Sequence, residues 1–155
     1  MDGYRRALTL YTGDLLPGRE TDYSWVGSLR DDYRRRQRRA CQRLAELLRD
    51  AGRPGEAASL FGDLMHDPGP PDRERDGGDE YGYRESCARA VFACCRQLGD
   101  LVLLGRTYQE LVDILHELDA EAGADETVQL SRQTTLLFEE IEADLTRRGA
   151  AAAGD

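Results

Sequence analysis

The reactive side chains of this 155-residue sequence are few and widely spaced. The cysteines are Cys41, Cys87, Cys94 and Cys95. A zinc site or a dithiol redox motif calls for a Cys-x-x-Cys pair, and none of the four supplies one. Cys87 and Cys94 lie two helical turns apart with Val91 between them. That spacing makes all three small core residues on one helix face, in a reducing compartment. His66 and His116 stand alone, without ligand spacing, and read as surface or helix-end residues. No paired histidines, Ser-His arrangement or phosphate loop occurs. Gly13-Asp14-Leu15-Leu16-Pro17-Gly18 lacks the Gly-Lys-Ser/Thr ending of a P-loop. These absences predict a protein that is not an enzyme, with no catalytic residue, no metal and no cofactor.

Charge offers a different chemistry. Arg34, Arg35, Arg38 and Arg39, with Arg36 beside them, are crowded into one short stretch. Guanidinium forks suit phosphate and carboxylate, so these residues are candidates for binding a small anionic signal (phosphorylated or nucleotide) or an acidic partner. The plainer reading is a solvated face with local pairing. Asp31 and Asp32 stand one turn before Arg35 and Arg36, and each such pair contributes about 0.3 kcal/mol. Trp25, the only tryptophan, either packs residues 13–18 onto the helix that follows or anchors a partner. Arg30, further along that helix, would bond loop carbonyls in the first case. The chain as a whole carries 21 basic and 30 acidic residues, a net charge of −9, and no lysine. Phosphate contacts need surplus positive charge, so a free-standing nucleic-acid binder is disfavoured.

The elements that would position these residues are helices. In residues 22–51, Val26, Leu29, Tyr33, Gln37, Ala40, Cys41, Leu44, Leu47, Leu48 and Ala51 recur at steps of three and four. That is one stripe of a long helix, or of two helices meeting near Gly27, with the arginines opposite and Gly52 as the stop. Thr21 or Asp22 is a candidate N-cap. Before it lies a short helix over residues 3–11, with Tyr4, Ala7, Leu8 and Tyr11 on one face. After Gly52, Pro54 opens a second helix with Ala57, Leu60, Phe61 and Leu64 inward, completing an antiparallel hairpin. Residues 67–80 are proline, glycine and charge, read as a mobile loop whose acids do not follow calcium-loop spacing. Helices over 81–98 and 101–118 then turn at Gly99. Tyr83 or Tyr81, Cys87, Val91, Cys94 and Leu98 face inward in the first. Leu104, Tyr108, Leu111, Val112 and Leu115 do so in the second. A last helix over 126–148, capped by Asp125, carries Val128, Leu130, Thr134, Leu137, Phe138, Ile141 and Leu145. The tail 149–155 is expected to be disordered. No strand pattern competes, and no apolar run is long enough to span a membrane.

The two hairpins repeat each other. Leu44, Leu48, Gly52, Ala57 and Phe61 occupy the same offsets from the turn glycine as Val91, Cys95, Gly99, Leu104 and Tyr108. This is tetratricopeptide-type spacing and predicts an all-α fold: a right-handed stack of antiparallel helical hairpins in one domain, residues 1–148.

The sequence also resembles the bacterial transcriptional activator domain, the helical module of Streptomyces antibiotic regulatory protein type regulators. The resemblance is carried by Ala7-Leu8 with Leu10-Tyr11, by residues 13–18, and by Trp25-Val26 with Arg30. It continues through Leu44-Ala45, Leu48, Gly52, Ala57 and Asp67-Pro68, then Glu85, Leu98-Gly99, and Leu115-His116-Glu117-Leu118 to Glu126-Thr127 and Leu130. It covers roughly residues 3–142, with residues 13–18, Trp25 and Arg30 its specific part. The resemblance implies a cytoplasmic transcriptional regulator in which this module associates with itself or with other proteins. DNA would be reached only through a winged helix-turn-helix domain of the parent that this chain lacks. The alternative is the ligand-sensing domain that the arginine face suggests.

Overall fold

Two glycines in the left-handed conformation, Gly52 and Gly99, both at φ 72°, turn the chain between paired helices. The computed structural model describes residues 1–10, 24–67, 79–122 and 129–153. Among them the helices are α1 (Asp2–Leu10), α2 (Ser24–Asp50), α3 (Pro54–His66), α4 (Glu80–Leu98), α5 (Leu101–Ala122) and α6 (Arg132–Ala153), with no strand. The protein is all-helical. Residues 13–18, most of the 67–80 loop, Thr21, Asp22, Gly123 and Asp125 lie outside the described residues.

The α2–α3 and α4–α5 turns are closed in the same way. The N–H of Arg53 donates to the Leu48 carbonyl (2.9 Å), and that of Asp100 to the Cys95 carbonyl (3.1 Å). In both cases the residue after the glycine reaches back over the last turn, a bond that needs the glycine in a backbone conformation side chains disfavour. The accepting residues, Leu48 and Cys95, are equivalent in the two hairpins. Leu44, Leu48, Ala57 and Phe61 of the first and Val91, Cys95 and Leu104 of the second are buried, and Tyr108 is half-buried. Pro54 sits in the first turn of α3, Asp79 caps α4 through the Gly82 N–H (3.0 Å), and Asp100 caps α5 through the Leu103 N–H (2.8 Å).

Helix α4 is the centre. It packs on α3, α5 and α6, while α3 also packs on α2 and touches α5. Phe92 is fully buried at its middle, edge-on to Phe138 of α6 (ring centroids 5.9 Å), and Phe138 lies against Tyr108 of α5 (4.1 Å). Helix α1 packs on α2 with no residue of its own buried.

Of the two readings of residues 22–51, the single long helix holds: α2 runs through Gly27 without a break. Other expectations are corrected. The expected apolar stripe of α2 splits: Val26, Leu44 and Leu48 are buried, whereas Leu29, Tyr33 and Ala51 are exposed. At about 1.5 Å per residue, the 13 residues of α3 cover only half of the 27 residues of α2, which leaves Leu29 and Tyr33 beyond its reach. Leu98 is exposed as well, since it is the last residue before the Gly99 turn. α6 begins at Arg132, not at Glu126, because Ser131 caps it. It also continues to Ala153, past the expected end at Arg148. Alanine, the strongest helix former, carries it through residues 150–153.

Burial pushes the Cys95 thiol from 9.0 up to about 12, and Asp100 adds to the effect. Cys94 moves in the same direction, also by burial. Both thiols are therefore neutral in the folded chain at pH values where the unfolded chain would ionise them. The contribution of these thiols to stability should be intact below pH 9.0 and be lost as pH rises from there toward 12, read as a falling urea midpoint over that range. A thiol reagent at pH 8 should reach half-buried Cys41 first, and Cys87, Cys94 and Cys95 only as denaturant unfolds the chain. Phe92→Ala should lower the unfolding free energy by about 3–5 kcal/mol in urea titration.

Candidate functional site

The basic face of α2 is the candidate, and the structure rearranges it. Arg36 and Arg39 are exposed, and Arg34 and Arg35 are half-buried. Arg38 does not belong to the exposed face. It is 6% exposed, with its guanidinium 4.4 Å from the centre of the Tyr83 ring on α4. An arginine over a tyrosine face in a buried setting fixes α2 against α4 and is removed from ligand binding. Arg36 pairs with Asp32 (2.8 Å), the local pairing that the spacing suggests, and also approaches the Tyr33 ring. Arg30 is 7% exposed, whereas Trp25 is 53% exposed. Residues 13–18, against which one of the two readings sets Trp25 and Arg30, lie outside the described residues.

A second polar arrangement joins α4 to α6. Glu85 of α4 is buried, and it meets the N-terminus of α6. Its carboxylate accepts from the Ser131 N–H (2.9 Å), from the hydroxyls of Ser131 and Thr134, and from Arg89 Nη1 (3.3 Å). Arg89 also donates to Thr134 Oγ1 (2.8 Å), and the Thr134 N–H donates back to Ser131 Oγ (3.3 Å). In a capping box the glutamate that reaches the N-cap N–H comes from the same helix. Here Thr134 occupies that position, and the glutamate arrives from α4. The arrangement satisfies free helix donors and sets a carboxylate at the positive end of α6.

One residue earlier, Arg84 does the reverse. It is 8% exposed and donates to the carbonyls of Met65 (2.7 Å) and His66 (3.3 Å) at the C-terminus of α3. Glu80 holds its other side, accepting at 3.1 and 2.7 Å. Tyr81 donates to Asp119 of α5 (3.1 Å), so the start of α4 is tied to both α3 and α5.

A cleft of ≈ 360 Å³ lies between α3 and α5 over Val91. Ala58, Gly62 and Leu103 line it, with His66, Arg106 and Glu110 at the rim. His66 Nε2 is 3.4 Å from Glu110 Oε2, and both histidines are exposed. Among the described residues no group of histidine, cysteine and carboxylate side chains could hold a metal ion. Among them too, no helix is long and apolar enough to cross a membrane.

Comparison with family models, with curated proteins and with solved structures finds no match to this chain.

The sequence offers only a faint signal for the Glu85 cluster: Ser131 and Thr134 stand three apart as in a cap, but the acid that completes it is 46 residues away. Glu85→Ala should strand Arg89 and both hydroxyls and cost about 3–5 kcal/mol. Glu85→Gln keeps an acceptor and should cost less. Urea denaturation of the two variants beside wild type orders them; equal losses would mean that the negative charge, and not the retained acceptor or the filled space, carries the contact.

Proposed function

We propose that this chain is a non-catalytic protein-interaction and oligomerisation module, a tetratricopeptide-like stack of helical hairpins. On this reading it is the effector domain of a cytoplasmic regulator of the Streptomyces antibiotic regulatory protein type. DNA contact belongs to a winged helix-turn-helix domain of that parent. The observation that carries the reading is the repetition of one hairpin. Gly52 and Gly99 share a backbone conformation, the next residue bonds back to an equivalent carbonyl, and the residues at matching offsets are buried together. Hairpins that repeat in this way stack through equivalent faces and expose extended surfaces to other chains. The regulatory assignment rests on the family resemblance of residues 13–18, Trp25, Arg30 and the positions that follow.

The ligand-sensing alternative draws on Arg34, Arg35, Arg36 and Arg39, with Arg38 withdrawn into the Tyr83 stack.

Sedimentation equilibrium over a wide concentration range tests the first reading. Reversible self-association that persists in Arg35→Ala and Arg39→Ala supports it. A monomer at every concentration that instead binds a nucleotide saturably, with binding lost in those two variants, would replace it by the sensor.

A further inference from the structure

We infer that the N-terminal half of α2 is a docking surface for an acidic amphipathic helix of a partner protein, an inference that rests on the interaction-module reading. Trp25, Leu29 and Tyr33 follow one another at steps of four and are 53%, 36% and 44% exposed. Arg36 closes the row, with its guanidinium 5.9 Å from the centre of the Tyr33 ring. The row flanks the buried line of Val26, Arg30, Leu44 and Leu48. Further along the same side of the helix, Ala40 and Leu47 are half-buried. Helix α1 packs on α2, with Tyr4 close to Arg43 in this half. The exposed row lies on the same side of the helix, nearer its N-terminus.

Composition says what kind of surface this is. Tryptophan, tyrosine and arginine are the residues that concentrate binding energy at protein interfaces. Three large apolar side chains in one file are also a patch, not the scattered exposure that every surface shows. An amphipathic helix laid along such a file would present its own apolar side chains at steps of three and four.

Charge says what the partner carries. Of the eight arginines of α2, Arg30 and Arg38 are buried; the other six stand against Asp31, Asp32, Glu46 and Asp50, in a chain whose net charge is −9. Positive charge is thus gathered on the helix that bears the exposed row. Carboxylates flanking the partner's apolar side chains would meet guanidinium groups there, which favours capture and register.

The only tryptophan lies in the row, so its emission reports on it directly. The probe is a synthetic helix with leucines at steps of three and four and glutamates elsewhere, titrated into the full chain. Expected are a saturable blue shift of Trp25 emission, weakening with salt, and an affinity loss of about tenfold or more in Leu29→Ser, Tyr33→Ser and Arg36→Glu. Circular dichroism and thermal melts of these exposed-site variants establish that they fold. Equal binding of the same helix with lysine in place of glutamate would overturn the charge argument. Equal binding of a glutamate peptide without leucines would overturn the apolar one. A shift with phosphatidylserine vesicles but not with the peptide would assign the surface to membrane. A shift with protein concentration alone, abolished by Leu29→Ser and accompanied by a doubled sedimentation mass, would assign it to a second copy. That last result, or self-association untouched by Leu29→Ser without peptide binding, would overturn this proposal while leaving the interaction-module reading standing.

Discussion

Helix α4 is buried around most of its circumference, and the arrangement of the other helices follows from what such a helix must do with its charges. An ionised side chain taken out of water costs several kcal/mol unless it is paired and hydrogen-bonded. α4 nevertheless carries Arg84 and Glu85 side by side, both less than a tenth exposed. Neighbours along a helix point in different directions, and each of these finds the end of another helix. Arg84 reaches the last carbonyls of α3; Glu85 reaches the first N–H of α6. Each sign meets the helix end whose partial charge opposes it. One short stretch of α4 thereby fixes where α3 stops and where α6 starts. An apolar core could hold the same helices together by area, but it would not specify their ends in this way.

This explains which parts of the fold could be read from the sequence. Helix periodicity and the turn glycines depend on residues close in the chain, and both hairpins, with their buried Leu44, Leu48, Val91 and Leu104, follow from them. The start of α6 depends on Glu85, which is distant in sequence, and local capping signals pointed to Asp125 instead. The exposure of Leu29 and Tyr33 depended on something no pattern of α2 contains, the shortness of α3. Arg38 is the sharpest case for the candidate site. In sequence it is indistinguishable from Arg39, and only the position of Tyr83 on α4 separates a buried guanidinium from a solvated one. A charged face inferred from one helix is an upper bound, because its neighbours select which of its members stay in water.

The same selection sharpens the contrast between the two functional readings. A site for a small anion needs several guanidinium groups to converge on one point. On α2 they diverge: Arg38 turns into the protein over Tyr83, Arg36 is occupied by Asp32 and the Tyr33 ring, and Arg39 remains outside. An extended partner makes no such demand. Charges spread along a helix can each meet a different residue of a second helix, and aromatic side chains between them exclude water from the contact. The distribution left after Arg38 is withdrawn is dispersed along and around α2, and a dispersed distribution matches an extended chain better than it matches a single phosphate.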